Sequence, residues 1–228
     1  MIGVDDENGL LALTLRRPEK ANSLTKAMLE QLDATLATTE ARAVILTGEG
    51  RVFSAGADLD EARAGLATDP IWDRLSNRIA SLPCLTIAAL NGTLAGGAMG
   101  MALACDLRVA VAGAKFFYPV MKLGFLPQPA DPARLIALIG PARAKMILMA
   151  GAKIDADEAL AWGLIDRIVE PQALMDTARA LCADTLAAKP GHAAAIKRLL
   201  APDTGASVRL VSDVVSCHSI GLASEGVR

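Results

Sequence analysis

The stretch that decides the fold is NGTLAGGAMGMALACD, residues 91–106. Asn-Gly marks a turn, and the small apolar residues after Gly96-Gly97 suit a helix packed closely on its neighbours. Apolar runs flank it on both sides, LTIAAL at 85–90 and LRVAV at 107–111, and both predict buried strands. The segment therefore reads strand, turn, helix over 97–104, strand. A helix that starts at the glycine pair presents unpaired backbone N–H donors and partial positive charge, which suits a developing oxyanion. Chemistry at such a place also needs a group that moves protons, yet no Asp, Glu, His or Lys occurs between Arg78 and Asp106.

The same alternation extends outward. IGV and LLALTL flank Glu7-Asn8-Gly9, a hairpin signal. Residues 25–39 have helical spacing, with Met28, Leu29, Leu32 and Leu36 on one side. AVILTG (43–48) predicts a buried strand, and VFSAGADLDE (52–61) a short strand, a loop and a helix start where Asp58 and Glu61 can form a capping box. A helix is predicted at 71–81. The proline-rich FLPQPADP (125–132) is a loop that leads into helical pieces at 132–139 and 142–149. ADEALAWGLIDRIV (156–169) repeats helix then strand, and from Leu174 onward the pattern is helical. Repeated strand-then-helix units argue for an α/β fold with a helical C-terminal part.

Composition sets the class. The 228 residues are 53 % hydrophobic and 21 % charged, which excludes a disordered chain, and they suffice for a substantial core. A formal net charge of −2, no long basic block and only 3 % aromatic residues give no nucleic-acid footprint. The charge-free run from Leu82 to Cys105 is long enough to suggest a membrane span, but Pro83, Asn91-Gly92 and Gly96-Gly97 break it, so no membrane partner is expected. Cys84, Cys105, Cys182 and Cys217 are scattered among apolar neighbours, as buried free thiols in a cytoplasmic protein would be, and no metal site is expected. The opening MIGVDDENG carries acids where a signal peptide has basic residues.

Five segments in order resemble the crotonase superfamily, the enoyl-CoA hydratase/isomerase family: RRPEKANSL (16–24), FSAGADLDE (53–61), AALNGTLAGGAMGMALACDLRVA (88–110), LGFLPQPADPARLIALIG (123–140) and AWGLIDRIVE (161–170). The resemblance runs from about Leu10 to Arg228. It implies a spiral of ββα units over residues 1–173 carrying an acyl-CoA site. Residues 174–228 would form a helical region that drives assembly into a homotrimer or a dimer of trimers. It implies no cofactor beyond the coenzyme A of the substrate thioester. The thioester carbonyl would sit between the backbone N–H groups of Ala57 and Gly97. Arg17, Lys20, Ala21, Ala55, Asp58, Leu59, Gly96 and Val120 would line or support the substrate site.

The sequence departs from that family pattern where the chemistry lies. The hydratase glutamate three positions after the second motif glycine is replaced by Gly100, and the glutamate of the later Pro-Glu pair by Val120. Glycine supplies only room, and valine moves no proton. Tyr118, the one tyrosine, lies two positions before Val120, so that on an extended strand both would face the acyl pocket; it is a stand-in acid or base, or a buried tyrosine satisfied by a backbone carbonyl. Asp131 is a second candidate, with helix N-capping before Pro132 as the competing reading. Glu61 is a third, with capping as its competitor. Lys122, His192 and His218 read as surface residues, and Cys105 as a buried thiol with no nucleophilic role. Family chains continue beyond SEGVR into a basic stretch that helps hold CoA phosphates; this sequence stops at Arg228, which leaves Arg16, Arg17 and Lys20 for that task, lowers CoA affinity, or reflects a truncated sequence.

The reaction expected from these residues passes through a thioester enolate, with hydration in doubt. Decarboxylation fits best because loss of CO₂ generates the enolate without removing a proton; isomerisation and thioester hydrolysis with another acid/base group also fit. A non-catalytic acyl-CoA-binding subunit is the reading from a different class. A dinucleotide-binding protein would rest on GGAMG alone, which lacks the G-x-G-x-x-G spacing.

Overall fold

The computed structural model describes residues 1–200. Strands β1 (Ile2–Glu7) and β2 (Leu10–Leu15) pair antiparallel, and Asn8 (φ 53°) with Gly9 (φ 82°) supplies the two left-handed residues of a type I′ turn. Helix α1 (Lys26–Thr38) follows, capped by the Thr25 side chain on Met28 N–H, with Met28, Leu29, Leu32 and Leu36 buried as their spacing requires.

One unit then repeats three times. It consists of β3 (Ala43–Gly48), β4 (Val52–Ser54) and the helices α2 (Leu59–Arg63) and α3 (Ile71–Ser81); then β5 (Leu85–Leu90), β6 (Thr93–Ala95) and α4 (Met99–Ala104); then β7 (Leu107–Val111), β8 (Lys115–Phe117), α5 (Val120–Leu123) and α6 (Asp131–Leu148). The chain goes on through β9 (Ile154–Asp155), α7 (Ala156–Trp162), β10 (Arg167–Val169), α8 (Leu174–Ala187) and α9 (His192–Leu200).

In every unit the first strand joins a six-stranded sheet in the order β1-β2-β3-β5-β7-β10, which is parallel from β2 onward. The second strand joins a smaller sheet in the order β4-β6-β8-β9. The result is a climb of ββα turns, the architecture expected. Strands β3, β5 and β7 are apolar on both faces because helices and the second sheet cover them, and Ile45, Ile87 and Val109 are fully buried. Helix α8 lies against β3, β5 and β7, with Ala178 and Cys182 inaccessible. Lys197 of α9 pairs with Asp106 at 2.8 Å and donates to the Cys84 carbonyl, which ties the last described helix to the ends of β5 and β7. Cys217, His218 and most of the expected oligomerisation region lie outside the described residues.

Helix α6 breaks at Gly140 (φ 78°, ψ 164°) before Pro141, because proline cannot donate to the preceding turn and only glycine enters that conformation cheaply. The two helical pieces expected there are thus the two halves of a kinked helix. One local expectation changes. The chain is not extended from Tyr118 to Val120: β8 ends at Phe117, and Val120 opens α5. Phe117 is the last residue with a ladder partner in β6, and Pro119, which has no N–H, can only turn the chain away.

Candidate active site

Strands β4, β6 and β8 are parallel neighbours, so the three loops that leave their C-terminal ends emerge side by side. These loops carry Ala55–Asp58, Gly96–Gly97 and Tyr118–Val120. Gly56 adopts φ +94°, and a Cβ there would lie 3.0 Å from the Ala95 carbonyl and 3.4 Å from Gly97 N. Only glycine lets the first two loops touch in this way.

The loops enclose a cleft of about 640 Å³, counting its open mouth. Ala57 and Gly97 both line it, as do Ala55, Gly96 and Val120. Ala57 makes a parallel bridge with Leu24 that uses the Gly56 carbonyl and the Asp58 N–H, so Ala57's own N–H takes no part. Gly97 is the second residue of a 3-10 turn, Gly96–Ala98, that runs into α4; an N–H in that position has no partner within the helix. The two expected donors therefore share one cleft.

The loop before α1 supports this arrangement through a residue that sequence reasoning did not single out. Asn22 is fully buried at φ 51°. Its amide donates to the carbonyls of Glu49 (2.9 Å) and Val52 (2.7 Å), its Oδ1 accepts from Arg17 N–H (2.8 Å), and its carbonyl accepts from Ser54 Oγ (2.8 Å). Ala21, also at φ 51°, accepts from Ala55 N–H at 3.0 Å. Arg17 is committed elsewhere: its guanidinium bonds to Asp58 Oδ2 at 2.7 Å and to Ser23. That bond holds the Asp58 carboxyl below its ordinary range while Asp58 caps α2. Lys20 and Arg16 stay exposed on the same loop, and Leu59, 70 % exposed, sits at the cleft mouth.

Trp72 is a second residue that sequence reasoning missed. Its ring backs Gly97 so closely that a Cβ there would come within 3.2 Å, and its indole N–H is anchored on the Leu66 carbonyl at 2.8 Å. The sequence placed Trp72 only within the helix predicted at 71–81.

The three acid/base candidates separate. Glu61 points away: its carboxylate accepts Lys26 N–H at 2.6 Å, so it caps α1 rather than closing a box with Asp58 or reaching the cleft. Tyr118 lines the cleft, and its hydroxyl is not satisfied by a carbonyl. It donates to Asp131 Oδ2 at 3.0 Å and accepts from Gln128 N–H at 3.3 Å. Asp131 is not the N-cap of α6, a place taken by Ala130; it turns inward and is 1 % exposed. Its Oδ1 is buried without a hydrogen-bond partner. Burial pushes the Asp131 carboxyl up to about 6, against the opposing pull of Tyr118 and Arg134. Burial also lifts the Tyr118 phenol above its ordinary range.

Gly100 and Asp131 belong together. A Cβ on Gly100 would meet Asp131 Oδ1 at 2.7 Å and Oδ2 at 3.2 Å. The room left by the missing side chain on α4 is taken by a carboxylate from α6. Val120, the other departure, lines the cleft as an apolar wall. Elsewhere, Cys105 is an inert core thiol, pushed up to about 12 by burial, and Lys122 and His192 are exposed. Among the described residues no helix is long and apolar enough to cross a membrane.

The chain matches the sequence model of the family described as Enoyl-CoA hydratase/isomerase over residues 5–211. It is 36 % identical over 197 residues to 1,2-epoxyphenylacetyl-CoA isomerase of Escherichia coli K12, covering 81 % of this chain and 75 % of that protein. It is 39 % identical over 199 residues to carnitinyl-CoA dehydratase of Citrobacter koseri, covering 83 % and 76 %. Among solved structures, an enoyl-CoA hydratase from Bacillus anthracis superposes with a TM-score of 0.86 at 30 % identity, over 94 % of this chain and 89 % of the other. A Thermobifida fusca YX structure in complex with CoA superposes with a TM-score of 0.87 at 28 % identity, over 98 % and 95 %. With its ββα spiral and the loops that converge beside β4, β6 and β8, the chain belongs to the enoyl-CoA hydratase/isomerase family of the crotonase superfamily.

Proposed function

We propose that this protein binds acyl-CoA thioesters in the cleft and catalyses a reaction through a thioester enolate, whose oxygen the N–H groups of Ala57 and Gly97 stabilise. One observation carries the proposal: Ala57 and Gly97 both line the cleft, and among the described residues Tyr118 is its only ionisable lining side chain. Donors held in place before the reaction gain most when charge develops on the oxygen in the transition state. Hydration needs a base on water and an acid on carbon, and Gly100 and Val120 supply neither. Decarboxylation of a malonyl-type thioester suits the cleft best. Its walls include Trp72, Val120 and Leu126 and, among the described residues, no Lys, Arg or His, so a substrate carboxylate is poorly solvated there and loses its charge as CO₂ leaves. Isomerisation and thioester hydrolysis share the same enolate or oxyanion requirement. CoA in the Thermobifida fusca relative supports the ligand class, and exposed Arg16 and Lys20 are the cations we assign to its phosphates. No cofactor beyond the CoA of the substrate is required.

Incubation with malonyl-, methylmalonyl-, crotonyl- and longer enoyl-CoA, followed by mass spectrometry, tests the reading. Gly97→Pro removes one donor, and loss of one such donor typically lowers the rate by about 10²–10³. A folded Gly97→Pro protein with full turnover would overturn the donor assignment. Binding without turnover on the whole panel would leave a non-catalytic acyl-CoA-binding subunit.

A further inference from the structure

We infer that Tyr118 and Asp131 form the proton couple of this site, Tyr118 exchanging a proton with the α-carbon of the bound thioester and Asp131 holding the phenol and storing its proton. The inference rests on the enolate reading and deepens it.

Geometry selects these two residues. The Tyr118 hydroxyl is fixed between a carboxylate and a backbone donor, at 3.0 Å from Asp131 Oδ2 and 3.3 Å from Gln128 N. A phenol so held has one proton to give and one acceptor behind it. Asp131 is almost wholly buried with one oxygen lacking a hydrogen bond, an arrangement that works against stability. Gly100 makes the placement feasible, because any side chain there would strike the carboxylate. The groups facing Asp131 are of mixed sign. Tyr118 comes from the β8 loop, Arg134 lies one turn along α6 at 4.0 Å from Oδ1, and Asp73 on α3 accepts Ala130 N–H at 3.1 Å. No full ion pair pins the carboxylate in one charge state, and its elevation to about 6 agrees with a group that both takes and returns a proton near neutrality.

The step balances. When CO₂ has left, the enolate's C=C electron pair takes the Tyr118 proton to form the new α C–H bond, and the thioester carbonyl re-forms. The phenolate left behind takes the Asp131 proton, and the carboxylate is reprotonated from water. In reverse, on a saturated thioester, the phenol passes its proton to the Asp131 carboxylate as its oxygen takes the α-proton, and the enolate forms at the Ala57 and Gly97 N–H groups.

The reverse step can be read without the natural substrate. In D₂O, the protein should exchange the α-hydrogens of butyryl-CoA for deuterium, followed by mass spectrometry. Tyr118→Phe should slow exchange by about 10²–10⁴-fold, the usual contribution of a positioned proton-transfer group. The unmodified protein should exchange faster as pH rises through about 6, and Asp131→Asn should both slow exchange and abolish that rise. A merely structural aspartate would lower the rate without changing that profile. Both variants are close in shape to the parent, and equilibrium binding of butyryl-CoA reports an intact cleft. Exchange at the parent rate in both variants would overturn the couple and leave the enolate reading standing. Binding of butyryl-CoA by the unmodified protein without any exchange would overturn both.

Discussion

Replacing Asp131 by Asn changes one charge in a site from which water is excluded, and the consequence for stability can be worked out in advance. Burial lifts the folded-state carboxyl from 3.8 to about 6. The folded protein therefore takes up its proton at higher pH than the unfolded chain does. The group's stabilising contribution is complete below its unfolded range and is lost as pH rises through about 6. Linkage gives roughly 1.4 kcal/mol lost between about pH 5 and about pH 8, and close to 3 kcal/mol over the whole titration. At 1 % exposure, solvent screening removes little of this. Asparagine does not titrate. The unfolding free energy of Asp131→Asn minus that of the parent should thus rise by ~1.4 kcal/mol from about pH 5 to about pH 8. The rearranged bond to Tyr118 and the fate of the unpaired oxygen are independent of pH and cancel. Urea unfolding at both pH values and one protein concentration measures the difference. A gap that does not change with pH would refute the claim that burial dominates at Asp131. A gap that narrows would mean that Arg134 and Tyr118 outweigh burial.

Three further outcomes follow from the site and its supports. Crotonyl-CoA hydration should be gained by Gly100→Glu with Val120→Glu only when Asp131→Gly is added, because the existing carboxylate occupies the space a side chain at 100 needs; equal gain in the double and triple variants, read as 3-hydroxybutyryl-CoA formed, would contradict that packing. Asn22→Ala should destabilise the protein by about 2–4 kcal/mol in urea unfolding, since it strips partners from the buried loop and removes a residue tolerant of positive φ; a loss below about 0.5 kcal/mol would show that the loop does not depend on that amide. Light scattering at micromolar concentration should give a mass of three or six chains, and a monomer would count against the trimer that the family resemblance implies.

Much of the main sheet was legible because its strands are continuous apolar runs closed by glycine or turn residues, as at Ala43–Gly48 and Leu85–Leu90. The kink in α6 was legible for the same kind of reason: Gly140 and Pro141 act locally, on their own turn of chain. The second sheet was not. Its strands span only two or three residues, too few for any periodicity, and they exist because β3, β5 and β7 set the climb of the spiral. The cleft positions of Ala57 and Gly97, the proposed donors, were readable through the family motifs, and Tyr118 and Asp131 came from the search for a missing acid. Their hydrogen bond was not readable, nor was the fit of Asp131 against Gly100, because both join residues of different units through space. Glu61 misled for the opposite reason. Its local sequence fits a capping box, and only the docking of α1 beside α2 offers it the Lys26 N–H instead.

The parallel packing of β4, β6 and β8 has a consequence for how such proteins diversify. Each turn of the spiral delivers one loop to a common edge, so the site is assembled like a port with separate berths, each served by its own stretch of chain. On the proposed reading, the berths for the thioester oxygen are backbone, and the close approach at Gly56 leaves them little room to change. The berth beside them holds a carboxylate that α6 supplies behind Tyr118, in the space a side chain on α4 would need. The absence of a side chain at position 100 is what makes room for the carboxylate at position 131. On that reading a lineage could move its carboxylate from one turn of the spiral to the next, provided the vacancy on α4 opened before the newcomer on α6 arrived.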